Sequence, residues 1–370
     1  MQQHLCLFGN TPELSLLELQ QFFPEVVLWQ ENLALIAGEL VPQDLLNKLG
    51  GTVKIFTIVH DFANQDEIEE FLTPYFVEQK IKKFNIINKV KNFSFKVQAF
   101  KEDLGLPGLR YIKGQEWGLS ASVLLHQKKV VELLLIQQED KIYLAQTSAI
   151  QNIDDWTKRD RMKPYADHKK GMLPPKVAKM MVNLVASELV TSDKIYDPFC
   201  GSGTILMEAL ALGYQVVGSD LDADSITGSD KNLAWLCQEY SLPENFTVFQ
   251  SDASDKNLKQ KLNNQLVDAI VTEPFLGRQT PDVKRLPQIF DGLERLYLGA
   301  FKNWRSILKP GAKVVIIFPK VVIGKASFAL LKLIDKLASL GYNVDLGPID
   351  YAREGAIVKR EIYIFKYVTR

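Results

Sequence analysis

A short run between a predicted strand and a predicted helix carries the clearest chemical signal in the chain. The run Asp197-Pro198-Phe199-Cys200-Gly201-Ser202-Gly203-Thr204, here called the glycine turn, follows strand residues 194–196 and precedes helix residues 205–212. Its two glycines let the backbone turn tightly and let a ligand lie close against it. The helix that follows offers unpaired N–H groups and a positive dipole end. The run therefore predicts a binding site for a nucleotide-like cofactor.

The segments after the glycine turn alternate between strand-like and helix-like patterns. Further strands are predicted at 213–220, 246–250, 267–271 and 312–318. This order predicts a parallel sheet with helices on both faces, whose ligands lie at the carboxyl ends of the strands. Four residues fall at such ends: Gly201, Asp220, Asp252 and Thr272. Asp220 is placed to accept hydrogen bonds from the ribose hydroxyls of a nucleoside.

A dinucleotide-binding domain is the first alternative for this pattern. Its fingerprint requires a third glycine three residues after the second, and that position is Leu206. The fingerprint is therefore incomplete, and a nicotinamide dehydrogenase is disfavoured.

The glycine turn, the run 218–222, the pair 252–253 and the run 272–275 together resemble the S-adenosylmethionine-dependent methyltransferases. They are most similar to the THUMP-domain RNA methyltransferases that modify the exocyclic amine of guanine, including those acting on the tRNA D-arm. The segments 8–19, 159–164 and 171–176 also resemble that family. The resemblance implies an α/β Rossmann-like methyltransferase domain with a mostly parallel sheet and an antiparallel last strand. An α+β ferredoxin-like and THUMP module would precede it.

The resemblance also implies a division of the chain into four segments. These are a ferredoxin-like part at 1–75, a THUMP-like RNA-binding domain at 76–153, a basic linker at 154–176 and the methyltransferase domain at 177–370. In that family the module grips the acceptor end of tRNA.

Roles for the cofactor site follow from the same resemblance. The expected cofactor-binding residues are Asp197, Phe199, Gly201, Gly203, Thr204, Asp220, Leu221, Asp252 and Ala253. Asp197 and Gly201 would lie beside the methionine end of S-adenosylmethionine, and Asp220 would bind its ribose. Leu221 would pack on the adenine, Asp252 would reach the adenine amine, and Ala253 would supply a backbone N–H.

The expected catalytic residues are Thr272, Glu273, Pro274 and Phe275, which would face the target base. The family pattern is Asp or Asn, Pro, Pro, then Tyr or Phe, so this chain differs at its first two positions. The family's side-chain oxygen accepts a hydrogen bond from the target amine, and such acceptors act on charge that develops in the transition state. Thr272 is a weaker acceptor, and Glu273 is a candidate to replace the missing anion. Phe275 can stack on a base that has left its helix.

Positive charge is concentrated locally, although the whole chain is balanced with 44 basic and 44 acidic residues. Residues 158–179 include eight Lys or Arg and two Asp, and residues 80–113 include nine Lys or Arg and two acids. Such clusters favour phosphate binding, although a solvated face is the alternative for each. The candidate RNA-binding residues are Arg159, Arg161, Lys163, Lys169, Lys170 and Arg278.

Composition excludes several other classes. The three cysteines, Cys6, Cys200 and Cys237, lack the spacing of a zinc site or a disulfide framework. Cys200 is interpreted as a small packing residue, with a catalytic thiolate as the alternative. The four histidines are scattered, so no metal is expected. The absence of an apolar run near 18 residues and of a signal-like start predicts a cytoplasmic protein with no membrane partner.

Local patterns predict further elements outside the cofactor site. A helix is expected after Thr11, strands at 52–62 and 93–100, and helices at 65–78, 119–126, 177–189 and 291–308. A hairpin is expected from 130–138 and 141–147, and strands at 342–344 and 362–368 would close the second sheet.

The function predicted from all of these features is methyl transfer from S-adenosylmethionine to the N2 of a guanosine, with tRNA as the expected partner. Two alternatives stay open: an RNA-binding protein with a degenerate site, and an amino-methyltransferase acting on ribosomal RNA or DNA. The sequence also leaves open the oligomeric state and a small accessory protein.

Overall fold

A computed structural model of the chain describes residues 1–127, 129–167, 172–352 and 355–368. The chain forms two compact units, residues 1–156 and 157–370. Within the described residues, none of the helices is long and apolar enough to cross a membrane.

The first unit mixes strands and helices. In chain order these are β1 (Gln3–Phe8), α1 (Pro12–Gln20), β2 (Val27–Gln30), β3 (Leu33–Ala37), α2 (Pro42–Lys48), β4 (Thr52–Phe62), α3 (Glu67–Glu78), β5 (Lys83–Lys89), α4 (Val97–Leu104), β6 (Arg110–Tyr111), α5 (Ala121–His126), β7 (Val130–Gln138) and β8 (Lys141–Ile150). Helix α6 (Ile153–Arg161) contains the boundary between the two units.

All eight strands of the first unit belong to one sheet, in the order β2-β3-β1-β4-β8-β7-β5-β6. Strand β4 pairs antiparallel with both β1 and β8, and so joins the two predicted N-terminal segments in a single sheet. The predicted boundary between residues 75 and 76 falls inside α3. The predicted strand 52–62, the helix after Thr11 and the hairpin are confirmed.

The predicted strand at 93–100 is wrong, because this segment is a loop followed by the start of α4. Its spaced phenylalanines pack on an aromatic cluster and do not follow the pleat of a strand. Phe100 lies with its ring centre 5.1 Å from that of Phe76, and Phe95 lies 5.0 Å from Phe100. The strand next to these rings is β5, which sequence patterns did not identify.

The second unit alternates strands and helices. In chain order these are α7 (Pro175–Asn183), a 3-10 turn (Ala186–Glu188), β9 (Lys194–Asp197), α8 (Thr204–Ala211), β10 (Gln215–Asp220), α9 (Ala223–Tyr240), β11 (Phe246–Gln250), α10 (Leu258–Lys261), β12 (Val267–Thr272), a second 3-10 turn (Val283–Arg285), α11 (Leu286–Trp304), β13 (Leu308–Ile323), β14 (Ala326–Phe328), α12 (Leu331–Ser339), β15 (Tyr342–Tyr351) and β16 (Val358–Tyr367).

The sheet of this unit has the strand order β11-β10-β9-β12-β13-β16-β15. The five neighbouring strands β11, β10, β9, β12 and β13 run parallel, whereas β16 is antiparallel to both of its neighbours, β13 and β15. This confirms the predicted Rossmann-like sheet with an antiparallel end. The apolar face of α11 buries Tyr297, Phe301 and Trp304 against β13 and β16, which fixes that end of the sheet.

A buried ion pair joins strands of the first unit. The Lys54 ammonium on β4 contacts the Glu132 carboxylate on β7, and their side chains are 6% and 0% exposed. Glu132 also accepts hydrogen bonds from the Thr147 hydroxyl, at 2.8 Å, and from the Leu119 N–H. Lys54 donates to the carbonyl oxygens of Trp117 and Leu119, so one pair fixes β4, β7, β8 and the loop before α5.

We expect Lys54→Ala to lower the free energy of unfolding by roughly 3–5 kcal/mol, because it leaves the Glu132 carboxylate buried without its partner. Urea denaturation of the full chain measures this change. The matched control is Lys141→Ala, which breaks the exposed pair with Asp61 and should have little effect. Equal losses for the two variants would contradict the assignment.

Candidate functional site

A cavity of about 1040 Å³ opens at the carboxyl ends of the parallel strands in the second unit. It brings together the ends of β9, β10 and β12 and the loop after β11. Its lining includes the predicted residues Asp197, Phe199, Gly201, Thr204, Asp220, Leu221, Asp252, Ala253, Glu273, Pro274 and Phe275. Residues far apart in sequence therefore share one site, as the strand-end argument predicted.

Both glycines of the glycine turn adopt left-handed backbone angles, with φ of +50° at Gly201 and +80° at Gly203. A Cβ on Gly203 would lie 2.4 Å from Oγ of Ser229, so any other residue would require this buried side chain to move. A Cβ on Gly201 would meet nothing within 4 Å. The left-handed backbone angle accounts for a glycine at position 201. At position 203 both this angle and the close packing against Ser229 of α9 favour glycine.

The Asp220 carboxylate holds the glycine turn against the end of β10. One of its oxygens accepts the Gly201 N–H at 2.9 Å, and the other accepts the Asp222 N–H at 3.0 Å. The carboxylate is thus fixed in orientation while it lines the cavity. This arrangement pre-positions Asp220 for a further hydrogen bond to a ligand hydroxyl.

The adenine-side candidates lie beside Asp220. Leu221 exposes 68% of its surface although it is a large apolar residue, and it lines the cavity. Asp252 is also exposed, and its Oδ1 accepts hydrogen bonds from the N–H and the hydroxyl of Ser254, both at 2.7 Å. An apolar surface with a fixed carboxylate at its edge suits a flat heteroaromatic ring with an amine.

Asp197 and Thr272 form a buried hydrogen bond at the centre of the site. The Thr272 hydroxyl donates to Oδ1 of Asp197 at 2.6 Å, and the Phe199 N–H donates to the same oxygen at 3.1 Å. Burial raises the pKa of Asp197 to about 7, while these two hydrogen bonds oppose the rise and the Asp220 and Glu273 carboxylates add to it. Thr272 is fully buried, and its donor proton points to Asp197.

Glu273 pairs with Arg360, a residue that sequence analysis did not identify. The Arg360 Nε lies 2.6 Å from Oε1 of Glu273, and the two side chains are 17% and 14% exposed. Both residues line the cavity beside Pro274 and Phe275. Arg360 lies on β16, 87 residues further along the chain. Only the antiparallel pairing of β16 with β13 brings it to this edge of the sheet.

Phe275 presents its ring to the cavity and is 61% exposed. Its backbone carbonyl accepts a hydrogen bond from the Tyr297 hydroxyl at 2.6 Å. Tyr297 is fully buried, and burial holds its pKa well above the usual range, so its hydroxyl stays a donor. The backbone that carries the exposed ring is therefore held from the core.

A second unpredicted residue, Asn232 on α9, clamps a neighbouring segment to the glycine turn. Its Oδ1 accepts the Tyr165 N–H at 2.8 Å, and its Nδ2 donates to the carbonyl oxygens of Tyr165 and Ser202 at 3.0 and 2.8 Å. The Tyr165 ring packs on Gly228, where a Cβ would lie 2.1 Å from the ring. The clamped segment leads to Asp167, which lines the cavity.

Two of the predicted phosphate-contacting cations lie inside the second unit, in place of the expected surface. Arg159 is 5% exposed and pairs with Glu208 of α8 at 3.1 Å. Lys163 is 6% exposed and donates to the Thr204 hydroxyl at 3.1 Å. Burial lowers the pKa of Lys163. Both residues hold the start of α8 in place, and a buried cation cannot reach an RNA phosphate.

The other RNA-binding candidates are placed differently. Arg161 is exposed, and Arg278 is exposed at the rim of the cavity. Lys169 and Lys170 lie outside the described residues.

Cys200 is buried, and burial raises the pKa of its thiol well above the usual range, which agrees with a packing role. No group of three or more His, Cys, Asp or Glu side chains in the described ranges could hold a metal ion.

Comparisons with known proteins agree with this geometry. The family model described as RMKL-like, methyltransferase domain, matches residues 164–320, and a DNA methylase model matches residues 57–230. The tRNA (guanine(10)-N2)-dimethyltransferase of Methanothermobacter thermautotrophicus is 45% identical over 107 residues, which are 29% of this chain and 28% of that relative. The match to this relative thus covers much less than two thirds of its length.

A second relative is matched over most of its length. It is the probable tRNA (guanine(10)-N2)-dimethyltransferase of Methanothermococcus thermolithotrophicus, which is 37% identical over 120 residues, or 32% of this chain and 70% of that relative. The solved structure of TrmN from Thermus thermophilus covers 100% of both chains with a TM-score of 0.58 at 15% identity. That structure supports the fold of this chain.

Asp197 gives the site a pH-dependent stability. Its folded pKa, about 7, lies above its ordinary value of 3.8. The stability that it contributes is therefore fully present below its unfolded pKa and is lost as the pH rises through about 7. We expect Asp197→Asn, which keeps the acceptor but cannot ionise, to gain melting temperature over the wild type between about pH 5 and 8, by roughly 4 °C or more.

Thermal melts of both proteins without added ligand across this range measure the difference. Asp140→Asn, at the tip of the β7–β8 hairpin, is the control for the loss of an exposed carboxylate. Melting temperatures of Asp197→Asn and wild type that stay parallel with pH would contradict the assignment.

Proposed function

We propose that this chain, which belongs to the family of tRNA (guanine(10)-N2)-dimethyltransferases, transfers a methyl group from S-adenosylmethionine to the N2 amine of a guanosine in tRNA. The observation that carries the proposal is the single cavity that joins the glycine turn, Asp220, Asp252 and the run 273–275. We assign the transfer to residues 157–370 and RNA binding to residues 1–156. The proposed substrate follows the names of the two relatives described above, which specify tRNA and the N2 of a guanine.

The residues of the cavity fit S-adenosylmethionine. Left-handed Gly201 leaves open space above the turn, the fixed Asp220 carboxylate can accept ribose hydroxyls, and exposed Leu221 can cover an adenine. When bound, S-adenosylmethionine supplies a methyl group on a positively charged sulfur. Asp197 closes the floor of the site and keeps the turn joined to β12 through Thr272.

On the base side, Phe275 and Glu273 take the direct roles that we propose. Phe275 stacks on the guanine after it leaves its helix, a step that costs a few kcal/mol. Glu273 accepts a hydrogen bond from the guanine, because Thr272 is buried and donates to Asp197. Positioning of the amine against the methyl then carries most of the rate.

The proposal is tested by incubating the protein with labelled S-adenosylmethionine and bulk tRNA, and then identifying methylated nucleosides by mass spectrometry. We expect N2-methylguanosine or its dimethyl form. Calorimetry with S-adenosylhomocysteine, which lacks the methyl group, reports cofactor binding separately. Cofactor binding without any methylated nucleoside would contradict transfer to tRNA but keep the cofactor assignment.

We expect Phe275→Ala to lower kcat/KM for tRNA roughly 5- to 100-fold, because base stacking on an aromatic ring is worth about 1–3 kcal/mol. The affinity for S-adenosylhomocysteine and the melting temperature should change little, since the ring is 61% exposed. Leu331→Ala removes another exposed apolar side chain and is the matched control. Equal rates for both variants would contradict a stacking role.

We expect Asn232→Asp to weaken S-adenosylhomocysteine binding roughly tenfold, with a smaller effect on kcat at saturating cofactor, because hydrogen bonds of this kind are worth about 1–1.5 kcal/mol. Aspartate keeps the acceptor for the Tyr165 N–H but cannot donate to the Ser202 carbonyl. Calorimetry measures the affinity, and Asn10→Asp in an exposed loop is the control. An unchanged affinity would show that the clamp does not shape the cofactor site.

One observation favours a second function, RNA binding without catalysis. The first position of the base-facing run holds a buried hydroxyl whose proton is directed to Asp197, where the family pattern has an amine acceptor. A protein of this kind would bind tRNA and cofactor in filter-binding and calorimetric assays but would form no methylated nucleoside.

A further inference from the structure

We propose that Glu273 and Arg360 together make the site select guanine over the other two bases that carry an exocyclic amine. This inference rests on the proposed function, because it concerns the base that receives the methyl group. It assigns a substrate-reading role to Arg360, a residue at the far end of the chain.

The two side chains form one fixed unit in the wall of the cavity. The Arg360 Nε lies 2.6 Å from Oε1 of Glu273, and both side chains are largely buried but border the cavity next to Phe275. The Arg360 guanidinium lies 5.9 Å from the ring centre of Tyr351, which limits its movement further. A carboxylate and a guanidinium are therefore presented side by side to any base that stacks on Phe275.

Arg360 keeps donors available for a ligand. Its Nε is engaged with Glu273, whereas neither of its terminal nitrogens makes a hydrogen bond to any other residue in the described part of the chain. Guanidinium has five N–H donors in a planar fork, and a pair with one carboxylate uses only part of them. The remaining donors require an acceptor, and the cavity is where one can be supplied.

The chemistry of the base edges explains why such a pair would favour guanine. Next to the target amine, guanine carries an N1–H donor, whereas adenine and cytosine carry a ring nitrogen that accepts. A carboxylate accepts from the guanine N1–H but faces the lone pair of adenine or cytosine, which leaves buried polar atoms unpaired. Guanine also carries the O6 acceptor on the same edge, and arginine commonly donates to that atom.

The altered base-facing run fits this reading. Glu273 stands where the family pattern has proline, so the run gains a carboxylate beside Pro274 and Phe275. Arg360 pairs with that carboxylate in the wall of the site. The unusual residue and its distant partner are thus explained together.

The experiment uses tRNA in which the guanosine methylated by the wild type is replaced by 2-aminopurine riboside. This base keeps the 2-amine but lacks O6 and has an acceptor in place of N1–H. We expect the wild type to prefer guanosine over 2-aminopurine by about 100-fold or more in kcat/KM, since sites built to hydrogen-bond a substrate reject analogues that cannot. In Arg360→Ala and Glu273→Gln this ratio should fall at least about tenfold.

Two controls distinguish a loss of base selection from a loss of the folded site. Lys359→Ala removes an exposed cation of β16 that does not border the cavity, and it should keep the wild-type ratio. The affinity for S-adenosylhomocysteine shows whether each variant keeps its cofactor site. Where Arg360→Ala does not fold, Arg360→Gln serves in its place, because its amide nitrogen can take the position of the arginine Nε while the charge and both terminal nitrogens are lost.

The outcomes distinguish this inference from the function on which it rests. A wild type that methylates guanosine and 2-aminopurine equally well would overturn the selection role and leave methyl transfer intact. A ratio that stays at the wild-type value in both Arg360 and Glu273 variants would do the same. A wild type that methylates no guanosine in tRNA would overturn the proposed function and this inference with it.

Discussion

The site depends on the buried hydrogen bond between the Thr272 hydroxyl and the Asp197 carboxylate. The glycine turn begins at Asp197, and the base-facing run begins at Thr272, so this bond of 2.6 Å joins the two halves of the site across neighbouring strands β9 and β12. Both residues are buried, and an unpaired carboxylate at this position would be costly. The bond therefore fixes the distance between the cofactor side and the base side of the cavity. The raised pKa of Asp197 is the cost of placing that connection in the core.

This use of Thr272 leaves the acceptor role in the proposed reaction to another residue. The adjacent Glu273 has a carboxylate at the cavity wall, and Arg360 holds it there. In our proposal Thr272 holds the strands together through Asp197, and Glu273 takes over the acceptor role toward the target base. Relative to family members with Asp at the first position, the exchange keeps the number of anionic groups in the run, since Glu273 supplies the charge that Thr272 lacks. The carboxylate gained at position 273 is paired with Arg360, which comes from another strand.

The basic segment before the glycine turn shows why an excess of Lys and Arg in a sequence does not by itself identify an RNA-binding surface. Arg159, Lys163 and Lys179 come from a stretch with a large excess of Lys and Arg, yet all three are buried. Arg159 and Lys179 both pair with Glu208, at 3.1 and 3.6 Å, and Lys163 donates to the Thr204 hydroxyl. These contacts anchor the first turns of α8, which the glycine turn precedes. These buried cations thus support the start of α8 next to the glycine turn, whereas Arg161 and Arg278 are exposed.

The sequence by itself determined the features that follow from local backbone chemistry and strand order. Gly201 and Gly203 were predicted to let the backbone turn tightly, and the structure gives both of them positive φ. Asp220, Asp252 and Thr272 were predicted to share one edge because parallel strands end together, and the first two line the cavity there. Sequence patterns failed at 93–100, where phenylalanines spaced for packing on an aromatic cluster resemble a strand. Burial of Arg159 and Lys163, the Asn232 clamp and the Glu273–Arg360 pair were decided by the tertiary structure alone. Each joins residues dozens of positions apart, and the partner of a side chain depends on which strands and helices pack together, which no local pattern records.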